Sequence, residues 1–184
     1  AALAVADALG LDPAIAATDL GLWSPPAGRG TRERILLDRL EDDGFDLFDD
    51  AFNANPASMR ATLKALAATP ATRRLAVLGS MKELGDFADA FHRQLAEPLA
   101  EAGVTHAILV GEEMRALAEE LGKLSGAALG KPITFAHCGS PAEAIAALGQ
   151  YGLASGDAVL VKGSNSVGLG RLVSHFTDKA RAGG

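Results

Sequence analysis

At 184 residues, 48% hydrophobic and 22% charged, the chain can bury a core, is not intrinsically disordered, and has room for one domain plus a few added elements. Its net charge of −6 lacks the basic footprint that a phosphate backbone requires, which argues against nucleic acid as the main partner. No apolar run approaches the roughly 20 residues of a membrane span, no signal-peptide pattern is visible, and the lone Cys138 excludes an internal disulfide, so a cytoplasmic location is expected.

The chain opens on Ala1-Ala2-Leu3-Ala4-Val5-Ala6, already inside an apolar helical pattern and without an initiator methionine, as expected of a piece of a longer protein. Residues 1–22 read as two short helices separated at Gly10, the second restarting at Asp12-Pro13. Gly21 to Gly30 is the clearest linker, punctuated by Pro25, Pro26 and Gly28, with Trp23 expected to pack at the joint. Residues 33–40 read as a strand, Glu41-Asp42-Asp43-Gly44 as a charged turn, and 45–50 as the next strand. A helix is expected over 56–68, then a buried strand at Leu75-Ala76-Val77-Leu78. A helix from Asp86 to Ala102 follows, with Pro98 expected to kink it. Ala107 to Gly111 is a strand, Met114, Leu117 and Leu121 mark a helix, and Gly-rich 122–131 reads as a loop. Residues 133–136 form a strand, and Ser140-Pro141-Ala142-Glu143 opens a helix as a capping box. Ala158-Val159-Leu160-Val161 is the last strand, and a terminal helix is expected to fray from Arg181. Strands alternate with helices from residue 45 onward, which predicts an α/β fold: a Rossmann-like, doubly wound, mostly parallel sheet.

Three strand ends carry polar turns, at 49–55, 79–85 and 162–166. If those strands are neighbours, the turns share one sheet edge and form one crevice, where ligands of open α/β sheets bind. In the first turn Asp49 and Asp50 must face opposite ways, and Asn55-Pro56 is a helix start that either merely caps the helix or borders a site. Lys162 ends a buried strand, where an ammonium must either snorkel to the sheet edge or meet a carboxylate or phosphate. Lys82 and Glu83 can be read as a surface pair. Neither a Gly-x4-Gly-Lys-Ser/Thr triphosphate loop nor a Gly-x-Gly-x-x-Gly fingerprint occurs. His92, His106, His137 and His175 show no metal-ligand spacing, and His137 and Cys138 point oppositely on one strand. No catalytic residue is identified in this stretch of chain.

Four segments, in order, resemble the Mur ligases. Pro26-Ala27-Gly28-Arg29 is similar to their hinge before the C-terminal domain. Asp49-Asp50-Ala51-Phe52-Asn53-Ala54-Asn55-Pro56-Ala57-Ser58-Met59 resembles the family's Asp-Asp-Ser/Ala-Tyr-Asn-Ala-Asn-Pro-x-Ser-Met. Gly79-Ser80-Met81-Lys82-Glu83-Leu84-Gly85 with His92 resembles Gly-Asp-Met-x-Glu-Leu-Gly…His, and Val161-Lys162-Gly163-Ser164-Asn165 resembles Val-Lys-Gly-Ser-Arg/Asn. The Asn-Ala-Asn-Pro turn is nearest to members that add D-alanyl-D-alanine to UDP-N-acetylmuramoyl-tripeptide in peptidoglycan precursor synthesis.

The resemblance implies residues 1–24 as the end of a central ATP-binding domain, 25–30 as a hinge linker and 31–184 as the C-terminal domain. It implies an ATP- and Mg²⁺-dependent ligase acting through an acyl phosphate, with the phosphate loop and metal ligands in the absent central domain, so this piece alone is expected to be inactive. By position, Arg29, Asp50, Asn53 and Asn55 are expected at the nucleotide, and Met81, Glu83, Leu84, Lys162, Ser164 and Asn165 at the dipeptide. Phe52 stands where the family usually has Tyr, Ser80 where it has Asp, and Ala88 where Ser is common. Two other readings are another Mur or folylpolyglutamate-synthase-like ligase, and a stand-alone, non-catalytic α/β ligand-binding module.

Overall fold

A computed structural model describes residues 2–22, 24–38, 43–124 and 132–182. Among these, strands β1 (Thr31–Asp38), β2 (Asp43–Asp50), β3 (Arg74–Gly79), β4 (Val104–Val110), β5 (Thr134–Cys138) and β6 (Ala158–Lys162) form one sheet in the order β1-β2-β6-β3-β4-β5. β1 is antiparallel to β2, and every other pairing is parallel. The helices are α1 (Ala2–Ala8), α2 (Pro13–Gly21), α3 (Pro56–Ala68), α4 (Ala88–Arg93), α5 (Ala96–Glu101), α6 (Arg115–Lys123), α7 (Pro141–Tyr151) and α8 (Gly170–Ala182).

Alternation along the strands explains why the sheet is wound on both sides. Ala76, Leu78, Ala107, Leu109, Ala158 and Leu160 point to one face, where Met59, Leu63 and Leu66 of α3, Leu99 of α5 and Leu117 and Leu121 of α6 cover them. Phe45, Leu47, Val77, Ile108, Val110, Val159 and Val161 point to the other, beneath Ala144 and Leu148 of α7 and Leu172 and Val173 of α8. β6, last in sequence, lies between β2 and β3. The carboxyl ends of β2, β6 and β3 are therefore adjacent, and the three polar turns do share one edge.

α1 packs chiefly against α2. The pair exposes Leu3, Val5, Leu9, Leu11, Ile15, Leu20 and Leu22. Trp23 lies outside the described residues.

The structure corrects several element boundaries. β1 begins at Thr31 rather than residue 33 because the Gly30 amide already donates to the Asp49 carbonyl (2.8 Å) and extends the ladder. Asp43 and Gly44, expected in a turn, open β2: Asp43 pairs with Asp38, and Gly44 lies so close to β1 that a Cβ there would overlap the Ile35 carbonyl. Glu41 and Asp42 lie outside the described residues. The helix expected over 86–102 is a 3₁₀ turn at Gly85–Phe87, then α4, then α5. The break falls at Gln94-Leu95, not at Pro98, because the proline ring excludes the carbonyl four residues before it and cannot donate to it. Pro98 itself sits in the first turn of α5, where no donor is needed. α6 runs through Lys123 into the expected loop, whose residues 125–131 lie outside the described set. β5 is Thr134–Cys138, offset from the expected 133–136, and α8 continues through Arg181 to Ala182.

Gly79 and Gly163 face each other where β3 and β6 end: a Cβ on Gly163 would lie 2.9 Å from the Gly79 Cα and 2.9 Å from Leu169 Cδ1. Gly163→Ala is expected to cost about 1–3 kcal/mol by urea unfolding, as overpacking against backbone that cannot yield. Gly149→Ala, within α7 and facing open space, should instead stabilise by about 0.5–1 kcal/mol.

Candidate functional site

Parallel pairing of β2 with β6 sets Asp50 opposite Lys162, and both project from the α3 side of the sheet. Lys162 is 2% exposed, and its Nζ donates to Asp50 Oδ2 (2.6 Å) and to the Asn53 carbonyl (2.9 Å). Asp50 also accepts from the Thr62 hydroxyl of α3 (3.0 Å). The lysine neither snorkels nor stands ready for a phosphate; it is consumed by a carboxylate of the first turn. Asp50, expected by family position at the nucleotide, and Lys162, expected at the dipeptide, form one ion pair.

Asp49 faces the other way, as alternation requires. It is 8% exposed and accepts from the amides of Gly28 (2.7 Å) and Ala51 (3.2 Å). The Phe52 amide donates to the Gly28 carbonyl (3.0 Å), so the linker is laced to the end of β2. The Arg29 guanidinium lies 3.9 Å from the centroid of the exposed Phe52 ring. The usual tyrosine hydroxyl is missing here, but the ring keeps its cation–π partner. Asn55 caps α3: its side chain accepts from the Ser58 amide (2.8 Å), and the Ser58 hydroxyl accepts from the Asn55 amide (3.1 Å). Asn53 accepts from the Ala54 amide through its own side chain (2.8 Å). Arg29, Asp50, Asn53, Asn55 and Lys162 line one hollow of about 190 Å³, together with Phe52 and Ser58. The same turn therefore caps α3 and lines the hollow.

The second and third turns are stitched together. The Lys82 amide donates to Ser164 Oγ (3.1 Å), and the Ser164 amide donates to the Ser80 carbonyl (3.2 Å). Met81 is 1% exposed with its side chain in the core, so it offers a substrate no side-chain surface. Leu84 packs partly against the same core. Glu83 is exposed and adopts φ +63°, a left-handed conformation uncommon outside glycine. Lys82 pairs with Glu113, not with Glu83. Asn165 lies apart from this group, exposed and lining a cavity of about 520 Å³ on the Asp49 side of the sheet.

Two groups that the sequence reading left without a role hold the second turn. Glu113 belongs to a fourth strand-end turn, Gly111-Glu112-Glu113, which follows β4. The same argument applied to a fourth buried strand would have flagged it. Burial works against its charged form, but hydrogen bonds from Lys82 and Ser80 outweigh that and pull Glu113 down to about 2. His92 of α4 is fully buried, and its Nε2 accepts from the Met81 amide (3.0 Å). Burial depresses its pKa. The Ala88 carbonyl and the charges of Glu113 and Asp89 oppose that shift, while Lys82 adds to it. Among the described residues no three His, Cys, Asp or Glu side chains group to hold a metal ion, and no helix is long and apolar enough to cross a membrane.

Comparison with known proteins bears on the family and the fold. The family model of the Mur ligase glutamate ligase domain matches residues 37–165. The chain is 35% identical over 176 residues to a UDP-N-acetylmuramoyl-tripeptide--D-alanyl-D-alanine ligase of Synechocystis, covering 96% of this chain and 36% of the relative. It is 40% identical over 143 residues to the Mycobacterium tuberculosis H37Rv protein of the same name, covering 71% and 28%. The chain thus spans about a third of the length of the curated relatives it matches. A crystal structure of MurF from Acinetobacter baumannii superposes with TM-score 0.75 at 26% identity, over 94% of this chain and 35% of that one. MurF from Thermotoga maritima in complex with ADP shares the fold, with TM-score 0.72 at 24% identity, over 99% and 37%.

Asp50→Ala leaves the Lys162 ammonium buried without its counter-charge and is expected to cost about 3–5 kcal/mol by urea unfolding; adding Lys162→Met should recover part of that loss. His92 and His106 both have pKa values lowered, first by burial. As pH falls below the ordinary histidine value of 6.5 the unfolded chain takes up these protons first. Their stabilisation is full above that value and is lost on acidification toward the folded values. The urea midpoint should therefore drop between about pH 7.5 and about pH 5, and less so in His92→Gln.

Proposed function

The chain belongs to the Mur ligases, through their glutamate ligase domain, and from that premise we propose that it is the C-terminal part of an ATP-dependent ligase that adds D-alanyl-D-alanine to UDP-N-acetylmuramoyl-tripeptide. The observation that carries this reading is the gathering of Arg29, Asp50, Asn53, Asn55 and Lys162 around one hollow, beside the turn that Ser164 ties down. The relatives at 35% and 40% identity carry that ligase name.

The hollow of about 190 Å³ is smaller than the roughly 300 Å³ at which small-molecule pockets begin. Such a half-site becomes enclosed only against a second surface. In this reading α1 and α2 are the end of the central domain, their exposed apolar side chains belonging to its core, and residues 25–30 are the hinge. Closure across the hinge would bring the hollow onto the nucleotide and exclude water from the reacting groups. Arg29, held flat on Phe52, would then present its guanidinium to a phosphate or ribose. Lys162, neutralised by Asp50, would act as a fixed dipole that shapes the first turn. The turn of residues 81–85 with Ser164 would seat the dipeptide. ATP supplies the activation of the tripeptide carboxylate. No residue of this chain is assigned as a Mg²⁺ ligand, and the metal is proposed to be held elsewhere in the full-length protein.

The test is ligation by the full-length protein with ATP and D-alanyl-D-alanine titrated separately. Arg29→Ala is expected to raise the KM for ATP by roughly tenfold, the scale of one charge-assisted hydrogen bond. Ser164→Ala, which removes the acceptor of the Lys82 amide, should raise the dipeptide KM instead. Equal effects of both variants on both substrates would overturn the division of the edge into two halves.

A further inference from the structure

We propose that His92 is the positioning residue of the second turn: a neutral imidazole protonated at Nδ1 that fixes the Met81 amide, and through it the backbone of Lys82 and Glu83. The inference rests on the reading of that turn as the dipeptide seat.

The tautomer follows from the partners. Met81 presents an N–H at 3.0 Å from Nε2, so Nε2 accepts and carries no proton. The Ala88 carbonyl lies 2.7 Å from Nδ1 and can only accept, so Nδ1 carries it. A doubly protonated ring would set N–H against N–H inside the core. Three successive amides of the turn are anchored on three elements: Ser80 to the Val110 carbonyl of β4, Met81 to His92 of α4, and Lys82 to Ser164 beyond β6. His92 is the α4 side chain among these anchors. The next residue, Glu83, has φ +63°. A left-handed non-glycine conformation persists only where its surroundings over-determine it. Releasing Met81 removes one of these anchors two residues before Glu83. The charged groups facing the ring are Glu113, Asp89 and Lys82. Two of them, Lys82 and Glu113, pair with each other across the turn.

Glutamine and asparagine at position 92 separate geometry from volume. Glutamine can place a carbonyl oxygen where Nε2 stands, whereas asparagine is too short to reach Met81. In the full-length protein, His92→Asn is expected to raise the dipeptide KM by roughly tenfold or more, the scale of a buried donor left unpaired, with the KM for ATP unchanged. His92→Gln should stay within about threefold of the native protein on the same scale. Hydrogen exchange of the peptide spanning residues 80–84 should accelerate in His92→Asn and not in His92→Gln. Unchanged exchange in His92→Asn, or equal losses in both variants, would overturn the proposal. Accelerated exchange with an unchanged dipeptide KM would uphold His92 as the anchor of the turn and overturn the dipeptide seat instead.

Discussion

The contact on which the rest of this edge depends is the ion pair between Lys162 and Asp50. An ammonium 2% exposed at the end of a central strand costs several kcal/mol in lost hydration, and a single carboxylate with good geometry offsets much of it. Pairing is possible because β2 and β6 run parallel with these two residues in register. A slip of one residue would turn Lys162 toward the opposite face, into the cluster of Val159, Val161 and Leu172. The pair therefore specifies the alignment of the two strands as well as the shape of the turn, since the same ammonium holds the Asn53 carbonyl.

That pairing joins residues 112 apart in the chain. β6 begins at Ala158 and enters the sheet between β2, which ends at Asp50, and β3, which ends at Gly79, and only its insertion brings the ends of β2 and β3 into one crevice. Loop-closure entropy rises slowly with length, so the wide separation is affordable, but it makes the site a product of the whole fold rather than of any local motif. Gly79 and Gly163 show the same dependence at the next position along: two backbones meet where neither can carry a side chain.

What the sequence disclosed follows from how far each signal reaches. The two-sided core, the cap at Asn55 and the opposed directions of Asp49 and Asp50 are matters of period and neighbouring residues, and the structure agrees with each. The adjacency of the three turns could be stated only as a condition, because strand order is not a local property. The partner of Lys162 is hidden for the same reason: the sequence says only that its ammonium needs water, a carboxylate or a phosphate. Glu113 escaped because its turn contains no motif, although it follows a buried strand just as the others do. His92 appeared within a motif but without a role, since its partner is a backbone amide, which no side-chain pattern reveals. A proline marks the break in the sequence at Pro98, but the carbonyl its ring excludes lies four residues earlier, and the helix breaks there.

Asp49 and Asp50 show how one peptide bond can connect a tether to a site. Alternation sends Asp49 to the α8 side, where it accepts from the Gly28 amide and fixes the linker. It sends Asp50 to the α3 side, where it neutralises Lys162. Because the two carboxylates share a strand end, the loop at Gly28 and the Lys162 side chain are anchored one peptide apart. The hollow formed by Arg29, Phe52, Asn53 and Asn55 spans this junction and draws residues from both sides of it. The two bonds that Asp49 accepts, from Gly28 and Ala51, fix that loop against the strand end. The paired aspartates thus hold the two faces of one strand end, Asp49 taking the Gly28 amide and Asp50 the Lys162 ammonium.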